Sequence, residues 1–396
     1  MAKIGIYGGT FNPPHLGHIL AAREFQRVLG LDMVLFVPAY LPPHKVLPVD
    51  TPDAATRLAL LRLAIEDLPF AQVDDEEFHR EGASYTVETL RAMKKRYPND
   101  ELFLCMGTDM LLSFDSWYHP KEICSLCQVV MAHRTDIDEA ALADFSQTFR
   151  KRYGKTPIFL PNDFLEISST TVRRLLILGG AADELSPKVY ETILAQGLYG
   201  TGRSRKNLPF ADLKRESLAL HNEGRVKHVI GCSETAEDLA KIYGANPVDA
   251  ARAGILHDVT KALSGLEQLH LCKTYGIIVD DFLKTHTKLL HAPTAAVVAQ
   301  RVFGENEAVC SAIRWHTSGR ANMSTLEKII YVADYMEPNR DFPGVKELRK
   351  LAYSDLDAAL LLGLEMTQEH LAQQGAPMGK ASLEAIAYLK TGKDAT

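Results

Sequence analysis

Two histidines three residues apart, His15 and His18, close the stretch YGGTFNPPHLGH, which runs from Tyr7 to His18. On a helix, positions i and i+3 bring both rings to one face. Ahead of them stand Gly8 and Gly9, which let a backbone approach a phosphate chain, and Pro13 and Pro14, which stiffen the loop. A helix opening near Leu16 aims free N–H groups and the positive end of its dipole at an anion. Imidazoles placed there can donate hydrogen bonds to charge that grows in a phosphoryl transition state. The glycines fall at 5, 8 and 9, so the G-x-G-x-x-G spacing of dinucleotide-binding oxidoreductases is not met.

A second set of chemistry-bearing residues lies toward the other end. His228 sits in RVKHVIGCSETAEDLAKIYG, and His257 and Asp258 in GILHDVTKAL. His291 follows in KLLHAPTAAVVA, His316 in AIRWHTSGR and Asp334 in IIYVADYMEPNR. The spacing places His228 and Asp334 within helices, His257 and Asp258 on the next helix, His291 just before one and His316 closing one. Imidazole and carboxylate without cysteine suit a redox-capable or hard divalent metal better than structural zinc. The six cysteines are scattered, and the lone CxxC at Cys124 and Cys127 has no second pair, so it reads as packing. Scattered reduced thiols point to a cytoplasm.

These residues need elements to hold them. Before about residue 200, short apolar runs alternate with helical periods. Strands are expected at 3–8, 33–39, 71–74, 101–107, 128–133 and 157–161, with helices at 17–29, 56–67, 86–97, 137–153 and 170–178. That alternation predicts an α/β doubly wound parallel sheet, whose first strand–helix turn is the usual phosphate seat. After YGTGRSRKNLP (199–209) nearly everything reads as helix. Asn246 is expected to cap one helix, with Pro247 at its first position, and Ser324 with Glu327 to form a capping box on another. The expected organisation is therefore a domain over 1–200, a linker over 201–208 and an all-α domain over 209–396. The first 200 residues carry 20 Lys/Arg against 26 Asp/Glu and the remainder 24 of each, giving a net charge of −6 over 396 residues. This is no electrostatic footprint for nucleic acid. No apolar run reaches the ~18 residues that would span a bilayer.

GGTFNPPHLGH is followed in order by PPHK (42–45), SYTVETL (84–90), GTDMLLSFDSW (107–117) and ISSTTVRRLL (167–176). Together these resemble the HxGH nucleotidyltransferases, and more narrowly the nicotinate-nucleotide adenylyltransferases. The resemblance implies a Rossmann-like fold that joins ATP to nicotinate mononucleotide, yielding deamido-NAD and pyrophosphate with Mg²⁺ on the phosphates. It implies ATP contacts from Gly8, Gly9, Thr10, Phe11, Ser168, Ser169 and Thr170. His15, His18, Lys45 and Arg173 would stabilise the phosphates. Thr86 would receive the nicotinate carboxylate, Asp109 a ribose hydroxyl, and Trp117 would stack on the pyridine ring. The mononucleotide's own phosphate attacks, so no protein nucleophile is required.

HDVTK, LLH, WHTSGR and IIYVADYMEPNRDFPGV, spread over about 210–390, resemble HD-domain metal phosphohydrolases. The narrower likeness is to the bacterial YqeK family of symmetrical diadenosine tetraphosphate hydrolases. Ser318 stands where that family has threonine, which keeps the hydroxyl. The likeness implies a metal on His228, His257, Asp258 and Asp334. Iron is the expected ion, with manganese or another transition metal as alternatives. Lys261, His291, His316, Arg340 and Arg225 would serve a second metal or phosphate contacts. The products would be two ADP. A different nucleotide phosphohydrolase or phosphatase, or a regulatory module that binds a nucleotide without turnover, stays open, as does a homo-oligomer.

Overall fold

The computed structural model describes residues 1–42, 46–80, 82–107, 110, 113–134, 139–162 and 167–392. They divide into two compact units: Met1–Ile177 with Ala181–Arg203, and Leu178–Gly180 with Ser204–Thr396.

The first unit is built on six parallel strands: β1 (Lys3–Gly9), β2 (Met33–Pro38), β3 (Ala71–Val73), β4 (Glu101–Gly107), β5 (Gln128–Arg134) and β6 (Ile158–Asn162). Their order is β3-β2-β1-β4-β5-β6. Each expected strand is present, because a parallel strand covered on both faces reads as a continuous apolar run. Leu102, Leu104 and Met106 face one layer with Val87, Leu90, Met93 and Ile123. Phe103 and Cys105 face the other, with Ile19, Phe25, Leu61 and Ile65. Helices therefore cover both sides of the sheet. Strand order reverses between β1 and β4, and ligands of such sheets bind at the carboxyl ends of the strands flanking that reversal.

The helices fall close to expectation, at Leu16–Leu29, Ala54–Ile65, Thr86–Arg96, Glu139–Tyr153 and Ser169–Leu178. Short helices at Pro120–Leu126 and Pro187–Ala195 add to them. Cys124 and Cys127 are buried, and the Cys127 thiol donates to the Ile123 carbonyl, so the CxxC pair is packing.

The second unit is helical among its described residues. The histidines and aspartates singled out in the sequence lie on, or directly after, Glu223–Tyr243, Pro247–Leu256, His291–Val298, Glu307–Trp315 and Thr325–Met336. Asn246 accepts from the amides of Val248 and Asp249, and Ser324 and Glu327 form the expected capping box. Three residues differ from the sequence reading. His257 and Asp258 stand not on a helix but at the end of Pro247–Leu256, where the chain turns. His291 is the first residue of its helix rather than the one before it. Within 201–208, Arg205 is buried and pairs with Glu216, Asn207 N–H donates to the Phe303 carbonyl, and Arg252 donates to the Leu208 carbonyl.

Candidate functional site

In the first unit, β1 ends at Gly9 and the chain turns through Phe11, whose φ of 45° is left-handed. Phe11 is buried, and a Cβ at Gly9 would press on its ring at 3.1 Å, so position 9 has little room for a side chain. The loop is held from three directions. The Ala39 N–H donates to the Gly9 carbonyl at 2.8 Å. Arg57 donates from Nη1 to the Thr10 carbonyl (2.7 Å) and from Nη2 to the Tyr40 carbonyl (3.2 Å). Arg173 donates from Nη1 to the Asn12 carbonyl (2.6 Å), and the Ser169 hydroxyl donates to the Pro13 carbonyl (3.1 Å). The ISSTTVRR segment and the GGTFNPPH loop are thus one assembly.

His15 precedes the helix Leu16–Leu29 as its N-cap, and its backbone N–H donates to His18 Nδ1 at 3.1 Å. Nδ1 of His18 is therefore an acceptor, which leaves the ring proton of the neutral imidazole on Nε2. The two rings lie 3.7 Å apart by centroids, and His18 also meets Phe11 edge-on at 5.0 Å. Burial, aided by His18, holds the His15 imidazole well below its ordinary pKa, so it is neutral near pH 7. Ser168 caps Ser169–Leu178 by accepting from the Thr171 N–H, and Arg173 Nη2 donates to Thr170 Oγ1. This gathers Gly8, Gly9, Thr10, Phe11, His15, His18, Ser168, Ser169, Thr170 and Arg173 at the carboxyl end of β1.

Thr86 opens the helix Thr86–Arg96. Trp117 is half-buried against the same core layer as Tyr85, and its indole N–H donates to Ser113 Oγ at 3.3 Å. The rings of Tyr85 and Tyr118, the chain neighbours of Thr86 and Trp117, meet at 4.7 Å between centroids, tilted by 37°. Lys45 and Asp109 lie outside the described residues. Arg57 was not singled out in the sequence. It is 1% exposed, and only its two distant carbonyl partners mark it as part of the loop's support.

In the second unit, four imidazoles turn Nε2 toward one carboxylate. His228 Nε2 lies 3.3 Å from His257 Nε2 and 3.1 Å from Asp334 Oδ1. His291 Nε2 lies 3.1 Å from His316 Nε2. Asp258, fully buried, sits between the two pairs. Its Oδ2 is 3.4 Å from His257 and 3.7 Å from His228, and its Oδ1 is 3.2 Å from His291 and 3.6 Å from His316. The other ring nitrogen of each histidine is already committed. His257 Nδ1 donates to the Gly254 carbonyl, His291 Nδ1 to Lys288 and His316 Nδ1 to Ile313, while His228 Nδ1 meets Glu337 Oε1 at 3.1 Å. Four ring nitrogens and the carboxylate oxygens therefore crowd one centre, and Asp258 Oδ1 is buried without a hydrogen-bond donor.

Such a donor set asks for a cation. Two ligand atoms about 2.1 Å from one ion sit roughly 3–3.5 Å apart, the spacing found here. Two trios, His228–His257–Asp334 and His257–Asp258–His316, each hold one ligand atom per residue within 4.8 Å of the others. Burial alone would raise the carboxyls of Asp258 and Asp334. The surrounding histidines, with Arg340 beside Asp334, instead hold both well below the usual range, as anionic ligands. Cations rim the set: Arg225 pairs with Asp258, Arg340 Nη2 with Asp334 Oδ1 at 2.7 Å, and Lys261 Nζ lies 3.2 Å from the His291 ring. Burial lowers the Lys261 ammonium pKa. Glu337, which sequence reasoning passed over, is buried behind His228.

Residues 6–175 match the cytidylyltransferase-like family, and residues 225–339 match the HD domain. A probable nicotinate-nucleotide adenylyltransferase from Geobacter sulfurreducens is 38% identical over 203 residues, spanning 48% of this chain and 94% of the relative. The chain belongs, through its first half, to the nicotinate-nucleotide adenylyltransferase family. The nicotinate-nucleotide adenylyltransferase of Bacillus subtilis is 37% identical to this adenylyltransferase half, over 50% of the chain and 99% of the relative. The second half carries an HD domain. A crystal structure of a predicted HD superfamily hydrolase involved in NAD metabolism from Clostridium acetobutylicum is 38% identical, with a TM-score of 0.46, covering 47% of this chain and 99% of that one. Among the described residues, no helix is long and apolar enough to cross a membrane.

Proposed function

We propose that the chain joins two nucleotide-phosphate activities, with domains at 1–200 and 209–396 joined by 201–208. The first half transfers AMP from ATP to nicotinate mononucleotide. The observation that carries this reading is the tautomer of His18. With Nδ1 occupied by its own helix cap, His18 offers an N–H from Nε2 toward charge building on the α-phosphate. Ser168, Ser169 and Thr170 supply hydroxyls and helix-terminal amides for the departing pyrophosphate. Arg57 and Arg173 hold the loop carbonyls, which keeps the donors fixed during the reaction. Lys45 and Asp109 are assigned to the triphosphate and a ribose hydroxyl, and Mg²⁺ arrives on the substrate phosphates. Thr86 and Trp117 are assigned to the carboxylate-bearing ring, supported by the aromatic cluster around Tyr85 and Tyr118.

The second half is read as a hydrolase that cleaves diadenosine tetraphosphate into two ADP. His228, His257, Asp258 and Asp334 would hold one ion, and His291 and His316, sharing Asp258, a second. A bound divalent ion supplies positive charge to a phosphoryl oxygen and acidifies water. The protein's part is to orient the anhydride chain: Arg225, Lys261 and Arg340 neutralise it from the rim. Iron is the proposed metal, in a cytoplasmic protein.

Two incubations test the pair of readings. With ATP, the acid mononucleotide should have a specificity constant far above that of the amide, because a site built around a charged group is left unpaired by the neutral analogue. Equal constants would contradict the pocket. With Fe²⁺ or Mn²⁺ and a panel of dinucleoside polyphosphates, chromatography should show ADP as the sole product from the tetraphosphate. AMP with ATP would mean asymmetric cleavage, and no turnover would favour the regulatory-module reading.

A further inference from the structure

Three residues around His228 have no part in the chemistry above. Glu337 follows the helix Thr325–Met336 as its C-cap and is 1% exposed. Its Oε1 faces His228 Nδ1 at 3.1 Å. Its Oε2 accepts from the Asn339 backbone N–H at 2.7 Å and from Asn339 Nδ2 at 2.8 Å. Asn339 Nδ2 also donates to the carbonyl of Lys227, the residue just before His228, at 3.1 Å. The carboxylate is therefore clamped to the same helical turn that carries the imidazole. Gly231 completes the group. It lies inside the helix Glu223–Tyr243, where glycine costs about 1 kcal/mol relative to alanine. A Cβ there would overlap Glu337 Oε2 and come within 3.0 Å of Asn339 Nδ2.

We infer that Glu337 is a positioning residue that fixes the His228 tautomer for metal binding; this rests on reading His228 as a metal ligand. Glu337 can only accept, so it draws the ring proton to Nδ1 and leaves Nε2, 3.3 Å from His257 Nε2 and 3.1 Å from Asp334 Oδ1, to face the metal position. Such carboxylate–histidine–metal relays orient the ring and raise its basicity, and losing the carboxylate typically costs 10–100-fold in metal affinity. Asn339 makes the requirement strict. In Glu337→Gln, its two donors draw the amide oxygen to themselves and turn the –NH₂ group toward His228 Nδ1. The ring must then accept at Nδ1 and carry its proton on Nε2, the nitrogen the metal needs.

The test uses the full chain as wild type, Glu337→Gln, Glu337→Asp and Gly231→Ala. Mn²⁺ affinity is measured by chelator competition. The protonated ring nitrogen of His228 is read by ¹⁵N NMR on metal-stripped, histidine-labelled protein. Glu337→Gln should bind Mn²⁺ about 10–100-fold more weakly and move the proton to Nε2. Glu337→Asp should recover part of the loss, and Gly231→Ala should weaken binding although it touches no ligand. Wild-type affinity in Glu337→Gln, or a proton still on Nδ1, overturns the role of Glu337. A wild type that binds no Mn²⁺ overturns the metal reading instead, and the tautomer measurement still decides the inference.

Discussion

Changing His18 to Ala removes two things that can be measured apart. One is the Nε2–H donor proposed above to meet the phosphates. Loss of a single preorganised donor costs about 10²–10³ in kcat, or roughly 2.7–4 kcal/mol. The other is structural: the His15 N–H loses its acceptor on Nδ1, and Phe11 loses an edge-on ring partner. A hydrogen bond is worth about 1 kcal/mol and such a ring contact about 0.5–1.5 kcal/mol. Their sum, roughly 1.5–2.5 kcal/mol, would lower the unfolding midpoint of the first unit by about 3–10 °C. His18→Asn separates the two effects. Its amide oxygen can take the place of Nδ1 as the cap acceptor, but its side chain ends short of Nε2. The asparagine variant should regain much of the stability and little of the rate. The assay is steady-state pyrophosphate release alongside calorimetry on all three proteins. If His18→Asn restored turnover to near wild type, the Nε2–H would not be the catalytic donor.

Asp258→Ala deletes the carboxylate shared by both histidine pairs, so metal content by elemental analysis should fall and tetraphosphate hydrolysis should vanish, while adenylyl transfer persists. Arg57→Met takes the guanidinium donors from the Thr10 and Tyr40 carbonyls, a total loss of about 1–3 kcal/mol. Calorimetry should show a lower melting temperature, and kcat for adenylyl transfer should drop although Arg57 touches no substrate. Fragments 1–203 and 204–396 should each fold and keep one activity, as circular dichroism and the two assays would report. A cut after 206 should yield a less stable second fragment, since it strips Arg205 from Glu216.

The sheet was readable because its strands are buried on both faces and leave unbroken apolar runs. The helix caps at Asn246 and Ser324 were readable because capping is local chemistry. Arg57 was not. On the helix Ala54–Ile65 it looks like any solvent-facing arginine, and its meaning lies in carbonyls 47 and 17 residues away in sequence. Glu337 hid in the same way, because nothing in the sequence says that the acid after that helix is buried against His228. His257 and Asp258 were read onto a helix because the apolar period of Pro247–Leu256 runs up to them, whereas the chain turns there. That one carboxylate divides its two oxygens between two pairs of rings is a fact of three dimensions that no spacing encodes.

The placement of β1 also governs how the molecule is made. Its partner on one side, β2, follows within the first 38 residues, but its other neighbour is β4, paired from Lys3 with Glu101. At about 5–20 residues per second, the ribosome delivers β4 several seconds or more after β1. Were β1 to form beside β2 in that interval, it would be an edge strand, and Ile4 and Ile6 would lack Leu102, Leu104 and Met106 of their core layer. The GGTFNPPHLGH loop is thus synthesised well before β4, and the strand leading into it gains its second neighbour only when residues beyond 101 emerge. Stalled or truncated translation products ending before β4 would carry the whole GGTFNPPHLGH motif and still lack the central strand pairing that supports it.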